Sequence, residues 1–395
     1  MLKMHSLPVG HYLFKWFVFF LVSPLLLCCS AQKNISNSQT RLKSISALKF
    51  INKYSLPYNL QFQNVRVGGL SGIDYDKEDN SYYMICDDRS HHGPARFYKA
   101  KIAITTKGID SVEITDMSIL LQQDGSTYPE LTPGATKTTD PEAMRYNPRT
   151  KLLTWTSEGD RVLNPGDTII IDPTISMVTP NGKFADSIPL PDNLRMRTID
   201  QGPRRNGVLE GLTFADNFKT LFVNMEEPLF EDGPQANLTD NNPLIRIYKF
   251  NLKSKKNTGQ YAYKLNPIAF PSTEKDGDMN NGIPDILWIG NNKMIVTERS
   301  YSEGWGGTNI KVFLADLNEA DNIIDVASLK ENPSVRLIKK QLLLNMDDLG
   351  IYIDNIEGAT FGPKLSNGHQ SIIFVADNNF SKREKAQFLL FEVIP

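Results

Sequence analysis

Apolar and polar positions alternate along this chain in short runs, and the runs come in pairs. In residues 206–227 (NGVLEGLTFADNFKTLFVNMEE) an acid beside a small residue, Glu210-Gly211, opens the apolar run Leu212-Thr213-Phe214. A polar turn follows, and a second run, residues 220–224, ends in Met225-Glu226-Glu227. Short apolar runs bounded by Asn, Asp and Gly read as two antiparallel strands joined by a turn. The unit recurs. Gly69-Leu70-Ser71-Gly72 leads to residues 81–86 and Asp87-Asp88-Arg89; Asp140-Pro141-Glu142-Ala143 leads to residues 152–156 and Ser157-Glu158. Pro284-Asp285 leads to residues 293–297 and Glu298-Arg299, and Asn355-Ile356-Glu357-Gly358 leads to residues 371–376 and Asp377-Asn378. Aligning Ser71, Glu142, Glu210, Asp285 and Glu357 spaces the five copies 71, 68, 75 and 72 residues apart.

A third strand is expected after each pair, at residues 96–102, 168–172, 244–251, 309–317 and 387–394. A fourth follows most of them, at residues 111–121, 261–266 and 336–344. Residues 318–331 could hold a short helix; no segment carries a long helical period. Four antiparallel strands per copy, repeated around a ring, describe an all-β chain folded as a β-propeller. The count is five blades, or six if residues 105–139 hide a weak copy. The last copy stops after its third strand, and residues 44–56 are a strand left over at the start, so the N-terminal strand is expected to close the ring. A repeat near 70 residues is long for one blade, so loops should project from one face.

The first residues follow another pattern. Lys3 and Lys15 precede the apolar run at residues 16–27 (WFVFFLVSPLLL), the right length for a signal-peptide core and short for a membrane span. Leu25-Leu26-Leu27-Cys28-Cys29-Ser30 then resembles a bacterial lipobox, with Cys29 the favoured site of lipidation and Cys28 the alternative. The expected organisation is a signal peptide over residues 1–29, a polar tether over 30–44 and one propeller domain over 45–395. The chain would be exported and held at an envelope membrane, periplasmic or at the cell surface, only through its lipid, or secreted if the segment is a plain cleaved signal. Cys86 is the one further cysteine; it sits in a strand pattern and reads as a buried apolar residue. A net charge of −2 on 395 residues, without a basic block, gives no reason to expect nucleic acid.

Inner strands of a propeller point at one axis, so Glu142, Glu210, Asp285 and Glu357 should converge at one mouth of the channel. Four carboxylates so placed need shared protons or a cation, and a hard divalent ion, Ca²⁺, suits an all-oxygen set. Arg89 and Arg299, at the ends of second strands, could grip an ester anion in two-pronged fashion. Glu210 and Glu357 are the candidate catalytic acids, and His91, in the loop His91-His92-Gly93-Pro94, is a candidate base. Residues 276–285 (DGDMNNGIPD) alternate Asp, Asn and Gly as calcium loops do, with the glycine one place late and no closing glutamate. Gly69-Leu70-Ser71-Gly72-Ile73 is only part of a nucleophile elbow.

Taken together and in order, these motifs, with Ala376-Asp377-Asn378-Asn379-Phe380, resemble the phytase-like family, "esterase-like activity of phytase", over residues 60–395. The resemblance implies an exported β-propeller that hydrolyses phosphoric or carboxylic esters of small molecules. A looser likeness to β-propeller phytases implies calcium. A propeller that only binds a ligand or partner at the same mouth is the alternative.

Overall fold

The computed structural model describes residues 39–42, 44–132 and 136–395; the expected signal peptide, both candidate lipidation cysteines and most of the tether lie outside them. Five four-stranded antiparallel sheets form a five-bladed β-propeller. From the axis outward, blade 1 is Leu70–Asp76, Ser81–Cys86, Arg96–Thr105 and Gly108–Ile119; blade 2 is Pro141–Asn147, Leu152–Ser157, Thr174–Val178 and Phe184–Ile188. Blade 3 is Leu209–Ala215, Thr220–Met225, Leu244–Asn251 and Lys256–Lys264, and blade 4 is Met279–Gly290, Lys293–Ser302, Thr308–Asp316 and Lys339–Asn345. Blade 5 is Asn355–Lys364, Gln370–Asp377 and Gln387–Ile394, with Ala47–Ser55 paired antiparallel to Gln387–Ile394 as its outer strand. The inner strands touch in the order 1-2-3-4-5-1, so the ring closes on itself.

The strand pairs follow from the alternation, and so does the core. Second strands are buried on both faces, as in Ser81–Cys86 and Thr220–Met225, because each blade is packed between two others. The small residue of the acid-plus-small motif has a steric cause. A Cβ on Gly211 would lie 2.6 Å from the Cα of Asp285 on the next inner strand, and one on Gly358 would lie 2.9 Å from the carbonyl oxygen of Ser71. Near the axis the inner strands approach too closely for a side chain there.

Three expectations change. The run at residues 168–172 is not the third strand of blade 2. Gly159, at φ +74°, turns the chain out of the sheet, so Asp160–Asn164 and Asp167–Ile171 form a separate ribbon; the chain re-enters past Pro173. Residues 105–139 supply the outer strand of blade 1 and, among the described residues, no sheet of their own. Residues 318–331 form turns whose Ile323 and Leu329 pack on Leu244 and Ala262 of blade 3. The helices described are the 3-10 turns Asp192–Leu194 and Met346–Leu349, and no described helix is long and apolar enough to cross a membrane. Cys86 is fully buried and its thiol donates to the Gly68 carbonyl at 3.1 Å, as expected of a packing residue.

Candidate functional site: a carboxylate-rich channel mouth

Each inner strand enters its ladder at the mouth through a β-bulge, which re-aims the side chain it carries. The register slips between Leu70 and Gly72, Pro141 and Met144, Leu209 and Leu212, and Ile356 and Gly358, leaving Ser71, Glu142, Glu210 and Glu357 at the irregular positions. In blade 4 the slip falls between Gly282 and Asp285, so Ile283 and Pro284 hold the bulge while Asp285 already pairs with Thr297 in the regular ladder. Asp285 is thus a step further down the channel than the acids it was aligned with.

At the mouth, carboxylate oxygens of Asp87, Asp140 and Glu142 lie within 4.8 Å of one another, as do those of Glu142, Glu158 and Glu210. Glu142 belongs to both trios. Glu226, Glu357 and Asp377 border them, so eight acids face two guanidinium groups, those of Arg89 and Arg299, and Arg89 is shared with a further buried acid, Asp160, which Arg205 also pairs. Both arginines are engaged. Arg89 donates to Asp140, to Asp160 at 3.2 Å and to Asn206 at 3.2 Å. Arg299 donates to Glu357, to Glu226 at 2.7 Å and to Asn355 at 2.8 Å.

Burial and mutual repulsion raise Asp87, Asp140, Glu142, Glu158, Glu210, Glu357 and Asp377 above the ordinary carboxylate range. Glu158 is pushed up to about 8 by burial first and by Asp140 and Glu226 next. Glu357 is also pushed up to about 8 by burial, against the pull of Arg299. Asp87, Glu142 and Glu210 are raised well above normal for the same reasons, and burial brings Asp377 to about 6. Such a set holds extra protons or a cation. The donors are all carboxylate oxygens, and Glu142, 7% exposed, accepts no hydrogen bond on its carboxylate from any described residue. That chemistry fits a hard divalent ion.

The remaining candidates stand elsewhere. Both oxygens of Asp285 accept from Nη2 of Arg145, at 2.9 and 2.6 Å, and from the amides of Ile286 and Ala359. Arg145 also reaches the carbonyls of Ile73 at 2.7 Å and Ala359 at 3.0 Å, which plugs the channel beneath the mouth. His91 is exposed, its Nδ1 2.6 Å from Glu130, and it makes no contact with the mouth acids. The Ser71 hydroxyl donates to the Glu142 carbonyl and is spent on joining two blades. The 276–285 loop brings no three acidic groups together. Asp140 was passed over as a site residue; its signal was an acid two places before Glu142, unique to that copy.

Across residues 65–380 the chain matches the family model described as phytase-like, esterase-like activity of phytase. No curated protein matches it in sequence. Among solved structures it is similar to the periplasmic gluconolactonase PpgL of Pseudomonas aeruginosa, at 9% identity over 91% of this chain and 98% of that one, with a TM-score of 0.39. A gluconolactonase from Xanthomonas campestris is similar at 11% identity over 90% and 100% of the two chains, TM-score 0.31. A GH43 β-1,3-galactosidase is similar at 10% identity over 86% and 95%, TM-score 0.44. Likeness this loose carries nothing about chemistry.

Proposed function

We infer that this chain, which belongs to the phytase-like family, hydrolyses small-molecule esters at the channel mouth with the help of a divalent cation, Ca²⁺, and that phosphoric esters are its substrates. The observation that carries this reading is the imbalance of five clustered carboxylates, bordered by Glu226, Glu357 and Asp377, against two arginines, above the Arg145–Asp285 pair. Asp87, Asp140, Glu142, Glu158 and Glu210 are the residues that would hold the cation. A cation so held would polarise an ester oxygen and lower the pKa of a bound water. Glu357, whose carboxyl burial pushes up to about 8, is placed to give a proton to the leaving oxygen, and Glu210, once a cation offsets the neighbouring charges that hold its proton on, to take one from water. Arg89 and Arg299 flank the acids; an incoming ester anion would compete with Asp140 or Glu357 for their donors. Asp285 and His91 have no part in this scheme. The residue 1–29 leader and its lipobox support export and anchoring at a bacterial envelope.

The test is a panel of chromogenic phosphomonoester, phosphodiester and carboxylic ester substrates, with calcium and with chelator. Turnover of a phosphoric ester that chelator abolishes is expected. A folded protein that turns over none of them ends the reading. Turnover surviving in a Glu210→Gln, Glu357→Gln double variant ends the assignment of residues.

A further inference from the structure

Four of the large apolar side chains left exposed on the described surface, Met279, Tyr301, Trp305 and Tyr352, come from the end of the inner hairpin of blade 4 and the segment leading into blade 5. Exposed apolar groups gathered in one place mark binding surfaces. Trp305 is the clearest case: it is 47% exposed, whereas Trp155 and Trp288 are 1% and 3% exposed. It is also fixed. Its ring stacks on Phe270 with centroids 4.1 Å apart and planes 10° from parallel.

Trp305 and Tyr352 line one cleft of about 140 Å³ together with Gly307, Thr308 and Asp347. Tyr352 is oriented by its hydroxyl, which donates to Asp354 at 2.9 Å. A Cβ on Gly307 would meet the Ile353 carbonyl oxygen and the Tyr352 ring at 3.9 Å, ordinary contacts, so only a longer side chain there would fill the cleft. One carboxylate oxygen of Asp347 accepts from the Asn309 amide; the other accepts from no described residue. The lining disfavours two ligand classes, although the Lys385 ammonium stands 5.4 Å over the Tyr352 ring. A wholly apolar ligand would bury the free oxygen of Asp347 without a partner, and an anion would meet its charge. A neutral ring with apolar C–H faces and hydroxyl edges meets both the aromatic walls and the acceptor.

The cleft adjoins the mouth. Thr308 pairs with Tyr301, two residues and about 7 Å along the strand from Arg299. The Thr308 hydroxyl donates to the Asp354 carbonyl at 3.2 Å, and the next residue, Asn355, accepts from Arg299 at 2.8 Å. We propose that the cleft between Trp305 and Tyr352 is a sugar-ring subsite, holding a neutral glycosyl group of the substrate beside the carboxylate mouth. Its use in turnover rests on the reading of the mouth given above; the binding of sugar does not.

Saturation-transfer NMR and calorimetry on the full chain, with methyl glycosides of glucose, galactose and N-acetylglucosamine and with cyclohexanol as the apolar control, test this. At least one glycoside should saturate at millimolar concentration. Affinity should fall at least about tenfold in Trp305→Ala, which removes the platform, and in Gly307→Leu, which fills the cleft. Both variants should keep the parent's melting temperature and its calcium binding. The proposal is overturned if no glycoside saturates, if cyclohexanol binds as tightly, or if either variant, with the parent's melting temperature, binds like the parent. Glycoside binding without turnover of any ester would keep the subsite and remove the hydrolytic reading of the mouth.

Discussion

Two clusters of buried charge lie along the axis of this propeller. In the lower one, Arg145 crosses from blade 2 to Asp285 of blade 4, spends its other donors on backbone carbonyls of blades 1 and 5, and has Asp74 as a second acid nearby. Nearly every polar atom there has a partner; only Nε of Arg145 lacks one. In the upper one, eight acids share two arginines, and the Glu142 carboxylate accepts from no described residue. The two differ in balance more than in burial. A hydrogen-bonded network locks blades together even where burial pushes an acid such as Asp74 up to about 6, while one with more carboxylates than donors stays ready for a ligand or a proton.

The contrast is sharpest in what each cluster does when a member is removed. Arg145→Met leaves Asp285 buried without its counter-charge and should cost about 3–5 kcal/mol in urea unfolding. A loss under about 1 kcal/mol would mean that the plug does not hold the ring. Glu142→Gln should do the reverse in the presence of chelator, raising the melting temperature by relieving repulsion. It should also weaken calcium binding at least about tenfold by calorimetry, about 1.4 kcal/mol. Equal destabilisation by both variants would erase the distinction.

pH supplies a third probe. Glu158 and Glu357 bind their protons more tightly in the fold, near pH 8, than in an unfolded chain, near 4.5. Between those values the folded state carries the extra protons, so each rise in pH favours unfolding. The melting temperature in chelator should therefore fall from about pH 5 to pH 8, and calcium should flatten the slope. A slope unaffected by calcium would separate the cation from these acids. The smallest effect is expected outside both clusters: His91→Ala should shift stability by no more than about 0.5 kcal/mol and leave hydrolysis unchanged.

The ring of strand pairs was legible because blade packing imposes alternation and turn chemistry on every copy. Glu210 and Glu357 were legible too, each standing next to a glycine that the neighbouring strand requires, and Glu142, next to Ala143, falls in the same register. Asp285 misled because spacing counts residues without seeing the bulge. The pair Ile283-Pro284 takes the slot, and two residues of slippage move a carboxylate from the mouth to the plug. Ion pairing was equally hidden. Arg89 and Arg299 look free at the ends of their strands, and only the fold brings Asp140, Glu226 and Glu357 to meet them. His91 carries no sequence mark of the Glu130 contact, which arises between two loops.

The path of residues 39–42 has a further consequence. Gln39 bonds to Phe214 and Asn217, and Leu42 to Ile289, all at hairpin turns on the face opposite the carboxylates. The chain then climbs through Ala47–Ser55 along the last blade. Anything that grips the protein ahead of residue 39 therefore pulls on its underside.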